Sequence, residues 1–371
     1  MNDNNIWAKF DYTLFFASVV LIVFGVLVIA SATQDAVDPT LISRVPDQIR
    51  YGILSIIVVF VVAALDYRLL GSIDNWLYGL MVILLVLVVF FGTEGDAGAQ
   101  RWLNVGILIQ PSEICKLLMI ITLSQFFVRH YKEMDNIVTV VKSMLHMGVI
   151  AALVFVQPDL GTTIVFFVIW ATITWAAGIR IRHVALLGTA AVILMPVPLT
   201  QLQPYQLERI TNFLFPAPVD QLEARFGSQY NIRQALVSIG SGGITGKGYA
   251  VGPQNSGRFL RVRHTDFIFS VIAHEFGFIG AVTTMGVLGL VIMRILRGAR
   301  IASDPLGSMI CYGVGGMIFF QTVVSIGMNL NLMPVTGLTL PFISSGGTSL
   351  LFTMVGIGLV QSVIVRSKQK V

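Results

Sequence analysis

Residues 14–31 read LFFASVVLIVFGVLVIAS, a stretch with no charged residue. A helix that crosses a bilayer needs about 20 consecutive, mostly apolar residues. The stretch resembles the core of a secretory signal, and Ala30-Ser31-Ala32 mimics a cleavage site. However, the residues before it hold Asp3 and Asp11 against a single Lys9, and the run is long for a signal core. It reads as a retained membrane span.

The rest of the chain repeats this texture. Of 371 residues, 55% are hydrophobic and 12% charged, where a soluble domain carries about 25% charged residues. Apolar runs predict ten spans, near 14–31, 51–65, 75–92, 111–128, 143–157, 160–177, 184–200, 266–293, 307–330 and 346–365. The second, fifth and seventh are short, as tilted, broken or protein-buried helices would be. The expected fold is an all-α integral membrane protein. It forms a single polytopic domain over 1–371, with a large extracytoplasmic loop, 201–265, between spans seven and eight.

Basic residues set the orientation. With the N-terminus inside, the short outer loops hold only Arg44, Arg50 and Arg101, and the inner segments hold most of the others, from Lys9 through Arg294, Arg297 and Arg300 to Lys370. Both termini are then cytoplasmic. The formal charge of +5 is mostly this topology signal and does not point to nucleic acid. Cys115 and Cys311 fall near opposite ends of their spans, so no disulfide is expected between them.

The 201–265 loop contains Gly-Ser-Gly-Gly at 240–243 and Gly246-Lys247-Gly248, which implies sharp backbone turns. Within it, Ile232, Ala235, Leu236 and Ile239 have the spacing of one apolar helical face. A short helix lying on the membrane or on the protein is expected there.

Polar residues elsewhere collect where even-numbered spans begin. Gly98-Ala99-Gln100-Arg101-Trp102 precedes Gln110-Pro111-Ser112-Glu113-Ile114-Cys115-Lys116 at span four. Gln157-Pro158-Asp159-Leu160-Gly161-Thr162 opens span six, Arg263-His264-Thr265-Asp266-Phe267 opens span eight, and Pro341 to Thr348, with Ser344 and Ser345, opens span ten. The inner loops have nothing comparable. Helix N-termini present free N–H groups and a positive dipole end, so several around one cavity would favour an anion such as phosphate. Pro, Ser, Thr and Asp are also ordinary helix starters.

Glu113 and Lys116, three apart, share a helix face and either neutralise each other or serve the site. Asp159 suits a capping role as well as a catalytic one. Asp266 stands at the joint of the basic, Gly-rich loop and a long apolar span, where the helix dipole would help to keep it ionised. Glu275 is nine residues on, half a turn out of phase and about 13 Å deeper on a straight helix, so it reads as structural. His274 reads as a packing or hydrogen-bonded residue. No zinc spacing, P-loop or dinucleotide fingerprint is present.

These residues resemble the SEDS family of polytopic cell-wall polymerases. The resemblance rests on GAQRW at 98–102, QPSE at 110–113 with Lys116, QPDLGT at 157–162, SIGSGGITGKG at 238–248, HTDFIF at 264–269 and PFISSGG at 341–347. The motifs fall in order over nearly the whole chain. The short N-terminal segment and the Gln in GAQRW look more like RodA, the elongation member, than FtsW, the division member. The chain departs from the family pattern at Arg261 and Val262, where Pro and Glu are usual, and at His274-Glu275, where Glu-Glu is usual.

The resemblance implies a glycosyltransferase of the bacterial cytoplasmic membrane that polymerises lipid II at the outer face. The 4-hydroxyl of an acceptor sugar would attack the donor's anomeric carbon and release undecaprenyl diphosphate, with inversion to a β-1,4 link. A sugar hydroxyl needs a general base, and a diphosphate leaves without protonation if its charge is met. One aspartate and several cations are therefore a sufficient set. Asp266 is the expected base. Arg101, Lys116, Lys247, Arg258 and Arg263 are the expected diphosphate or acceptor contacts, with Glu113, Asp159, Ser344 and Ser345 around them. A divalent cation, Mg or Mn, could assist, although no site for one is read. The implied partners are a class B penicillin-binding transpeptidase, engaged through late spans and outer loops, and the elongation machinery. The competing readings are a lipid II flippase, which would need polar access from both faces, and a scaffold for other wall enzymes.

Overall fold

The computed structural model describes residues 6–34, 38–94, 100–104, 108–194, 200, 202–215, 228–251 and 263–367. Ten helices run alternately up and down: α1 (Tyr12–Ala32), α2 (Arg44–Ala64), α3 (Asp74–Phe91), α4 (Pro111–Arg129), α5 (Ile137–Val156), α6 (Leu160–Ala176), α7 (Ile181–Leu194), then α10 (Ile268–Ile301), α11 (Pro305–Asn329) and α12 (Gly347–Val365). Between α7 and α10 lie α8 (Pro204–Leu214) and α9 (Ser228–Gly242). Eight of the ten are long and apolar enough to cross a bilayer, and α6 is a shorter apolar helix of 17 residues. This is a multi-pass, helical membrane protein.

Helix ends differ from the apolar runs where charge interrupts the run without breaking the helix. The second span begins at Arg44, not 51, because Arg44, Asp47, Gln48 and Arg50 form two further helical turns. α5 begins at Ile137, where the Asn136 side chain accepts a hydrogen bond from the Val138 amide and caps it. The expected seventh span, 184–200, is α7 at Ile181–Leu194, and 195–199 lie outside the described residues. A small antiparallel sheet of β1 (Thr93–Glu94), β2 (Gln100–Asn104) and β3 (Leu108–Ile109) is added to the helices and carries Arg101.

α11 is central and packs on α4, α6, α10 and α12. Met119, Ile120, Phe166, Ile173, Ile310 and Val314 are fully buried around it. In lipid the hydrophobic effect between helices is weak, so close van der Waals packing has to hold them. Cys115 and Cys311 are buried and free, as their positions implied.

At the end of the bundle where α1 begins and α10 finishes, charges are paired. Arg294 bonds Asp11 at 2.6 Å, Arg129 bonds Asp74 at 2.6 Å, and Asp304 accepts from Tyr67 at 2.6 Å and Arg68 at 2.8 Å. The sequence reading left this end plain, because the partners are far apart in the chain. Lys9 also donates to the Ser367 carbonyl at 2.6 Å, joining the two chain ends.

α10 is not straight. It breaks at Gly277, where φ is 66° and ψ −163°. The chain after α9 fills the break with main-chain hydrogen bonds. Lys247 N donates to His274 O at 2.9 Å, Gly248 N to Glu275 O at 3.1 Å, Phe278 N to Gly243 O at 2.9 Å and Ile279 N to Ile244 O at 3.1 Å. The exposed amides and carbonyls of a broken span are thus satisfied by protein. The glycine cluster at 240–248 therefore serves backbone contact with a helix. At Gly242 a Cβ atom would overlap the Ala273 carbonyl, whereas at Gly240 it would meet open space.

This contrast gives a test. Gly242→Ala is expected to cost about 1–3 kcal/mol through overpacking against backbone, and Gly240→Ala to cost nothing. Thermal unfolding of the detergent-solubilised protein reads the difference. Equal melting temperatures for the two variants would contradict the latch.

Candidate active site

Four of the polar motifs meet at one end of the bundle. The turn 263–267 leads into α10, and Phe267 is its cap residue. Asp266 therefore precedes the first helical residue by two positions and is not part of the helix, as the sequence reading had it. Phe267 anchors the turn in a small apolar cluster with Ile232 and Ala235 of α9, with Val335 packed against them. The expected apolar face of α9 is thus used in part: Ile232 and Ala235 are buried, but Leu236 is 39% exposed.

The PFISSGG stretch grips this turn. Ser344 Oγ donates to Thr265 O at 2.8 Å and accepts from Leu340 N at 2.9 Å. Ser345 N donates to His264 O at 3.0 Å. From the end of α11, Asn329 Nδ2 donates to Asp266 O at 2.9 Å, while Asn329 Oδ1 accepts from Ser270 N at 3.0 Å. Asn329 is fully buried and so caps α10 while holding the aspartate's backbone. Sequence reasoning missed it. Ser344 and Ser345, read as substrate contacts, are buried, and the Ser344 hydroxyl and the Ser345 amide bond backbone.

The Asp266 carboxyl is partly buried. Loss of hydration raises its pKa above the ordinary carboxylate value, with Arg209 and a hydrogen bond from Thr265 opposing the shift. The net shift makes the carboxylate a stronger base.

Arg209 is the second residue that the sequence reading missed. It lies on α8, whose side toward the bundle is polar. Arg209 Nη1 donates to Val335 O at 3.3 Å, Gln206 Nε2 donates to Pro158 O at 3.2 Å and Tyr205 donates to the same oxygen at 2.5 Å. Leu207 and Leu214 of α8 point outward, 49% and 58% exposed. An interfacial helix with its apolar side toward lipid would direct Arg209 inward.

Arg101 from β2 joins this group. It donates to Pro158 O and, at 3.0 Å, to Tyr205 Oη, and lies 4.0 Å from Asp159 Oδ1. Asp159 caps α6 through Thr162 N at 3.1 Å and also accepts from Gln110 at 3.2 Å. The GAQRW, QPSE and QPDLGT motifs are therefore linked through Asp159, which is bound as a cap and bridge. Arg101, Pro158, Tyr205, Gln206, Arg209 and Val335 are among the residues lining a narrow cleft of about 40 Å3, room for roughly one water molecule.

Other expected site residues lie apart from it. Glu113 and Lys116 pair at 2.8 Å and are buried in the first turns of α4, and neither lines the cleft. Loss of one partner would strand a buried charge, a cost of about 3–5 kcal/mol. Lys247 is exposed and tied by its backbone to His274, roughly 10 Å along α10 from its start at 1.5 Å per residue. Arg263 is buried at the head of the turn. Arg258, with Arg261 and Val262, lies outside the described residues, as do Gly98 and Ala99. Glu275 accepts from Ser31 of α1, and His274 Nδ1 lies 2.9 Å from Ser241 Oγ and 3.2 Å from Ser238 O. Both act in packing α10, as the sequence suggested. Among the described residues no group of three or more His, Cys, Asp or Glu is placed to hold a metal ion.

Comparison with known proteins gives one answer. Residues 12–369 match the FtsW/RodA/SpoVE family model, described as cell cycle protein. MrdB of Escherichia coli, a peptidoglycan glycosyltransferase, is 34% identical over 98% of this chain and 96% of its own. A probable peptidoglycan glycosyltransferase FtsW of Haemophilus influenzae is 32% identical over 94% of this chain and 89% of its own. Among solved structures, a chain of a peptidoglycan synthase complex that coordinates polymerization and crosslinking superposes with a TM-score of 0.78 at 29% identity, covering 96% of this chain and 97% of that one. The rod shape determining protein RodA of Thermus thermophilus gives 0.68 at 29% identity, covering 97% and 98%. With the motifs, the helical bundle and these matches all in agreement, the chain belongs to the FtsW/RodA/SpoVE family, the SEDS proteins.

Proposed function

We propose that this chain is a peptidoglycan glycosyltransferase that polymerises lipid II into β-1,4-linked glycan at the outer face of the bacterial cytoplasmic membrane, releasing undecaprenyl diphosphate. Both termini are then cytoplasmic. The observation that carries the reading is the placement of Asp266. It is a partly buried carboxylate of raised basicity, held by backbone at the end of the bundle where the motif clusters meet, with Arg209 close enough to act on it. Asp266 accepts the proton of the acceptor's 4-hydroxyl as the new bond forms. Arg209 and the solvent-facing part of Arg101 favour the diphosphate as its charge grows. Arg101 also clamps the turn at Pro158 and Asp159, so its loss would act on position as well as charge.

The transport reading requires a polar route between the two ends. The bundle centre is mostly apolar on α4, α6 and α11, and the polar side chains buried there, such as Thr122, Ser124, Thr174 and Ser325, carry no charge. The expected partner is a class B penicillin-binding transpeptidase, which accords with the synthase complex among the structural neighbours. The elongation role rests on Gln100 within GAQRW, since elongation- and division-type relatives match about equally. Depletion that rounds a rod-shaped host while it continues to divide is its readout, and filamentation with blocked septa would contradict it.

The chemical test is Asp266→Asn in purified protein, with and without the transpeptidase. The variant is expected to fold and insert while lipid II polymerisation falls by about 100-fold or more, the scale of a positioned base. Asn preserves shape and one acceptor oxygen but not basicity. Near-normal polymer yield would refute the assignment, and movement of lipid II across vesicles without polymerisation by the unaltered protein would favour transport.

A further inference from the structure

At the end of the bundle away from Asp266, the starts of α5 and α7 border a cleft of about 690 Å3. Asp135, Asn136, Ile137, Arg182, His183 and Leu186 line it. Arg180 pairs with the Asp135 carboxylate, which leaves Arg182 as the uncompensated cation of this group. Arg182 is exposed and donates to the Asp135 carbonyl at 3.2 Å, using one of its five donors. His183 is 5% exposed, and its Nδ1 atom has no hydrogen-bond partner among the described residues. A buried ring nitrogen without a partner is uncommon, because its lost hydration goes uncompensated. Beside the remaining donors of Arg182 it calls for an acceptor such as a phosphate oxygen, to which the Nδ1–H tautomer can donate.

The surroundings specify what carries the phosphate. The cleft sits at the level where spanning helices begin, the depth of lipid headgroups. Ile137 and Leu186 line it, Leu186 58% exposed, and the two helices that border it carry further open apolar side chains: Ile181 is 77% exposed, Leu145 64% and Val138 50%. Soluble phosphate would gain nothing from those side chains, whereas acyl chains would cover them. We propose that this cleft binds an anionic glycerophospholipid, with its phosphate between Arg182 and His183 and its acyl chains along Leu186 and Leu145. The site is distinct from the Asp266 end and does not depend on the reaction assigned there.

Native mass spectrometry of the detergent-purified full chain tests this with phosphatidylglycerol, phosphatidylcholine and inorganic phosphate as probes. The unaltered protein is expected to retain phosphatidylglycerol at least tenfold better than phosphatidylcholine. Arg182→Glu should abolish that preference. Arg182→Gln should weaken it several-fold, and His183→Phe, which keeps a ring in place, should weaken it likewise. Arg182 is exposed, so its variants should fold, and unchanged melting in phosphatidylcholine micelles checks this. Equal retention of the two lipids, or a preference that survives Arg182→Glu, would overturn the proposal. So would displacement of phosphatidylglycerol by millimolar inorganic phosphate, which would mark a site for the free anion.

Discussion

The site depends on a grip on one short turn. Residues 263–267 have no regular structure of their own, yet they carry the acid on which the proposed chemistry rests. Hydrogen bonds from Ser344, Ser345 and Asn329 to the carbonyls of Thr265, His264 and Asp266 fix that turn to the ends of α11 and α12. All three are buried, so each bond that is lost leaves a polar group without water to replace it. The aspartate's backbone is held by Asn329, and its carboxyl takes a hydrogen bond from Thr265.

A second constraint acts further along α10. The break at Gly277 frees backbone groups within an apolar span, and the segment after α9 satisfies them. That latch ties the large loop to the same helix that begins beside Asp266. α9 packs on α10 and contributes Ile232 and Ala235 to the cluster around Phe267. The loop is therefore part of the scaffold at both of its described helices, and α8, bonded to α9 through Asn212 and Gln229, brings Arg209 to the site.

Much of this was legible in the sequence. Runs of apolar residues located the ten helices, and the clustering of polar motifs at alternate span starts anticipated that these motifs meet at one end of the bundle. Two kinds of information were not local. Gly277 resembles any other glycine in a span, and its break shows only through its pairing with residues some thirty positions earlier. Arg209 was hidden because α8 is amphipathic in the inverted sense, with Leu207 and Leu214 outward. The spacing of those leucines against Gln206 and Arg209 was the available signal. Asp159 is the helix cap that its place after Pro158 allowed, and Ser344 and Ser345 likewise bind backbone at a helix start, so these residues join one motif to the next. The paired charges at the far end were invisible for the same reason, since Asp11 and Arg294 lie on different helices.

The central claim is that burial raises the basicity of Asp266 and that Arg209 restrains the rise. The pH dependence of lipid II polymerisation by the purified protein tests it most directly. The rate should climb with pH through the Asp266 pKa, placing the acidic limb above the ordinary carboxylate range, and Arg209→Gln should move that limb to still higher pH because a cation that favours the ionised form is gone. A limb at the ordinary carboxylate value that Arg209→Gln leaves in place would contradict the account.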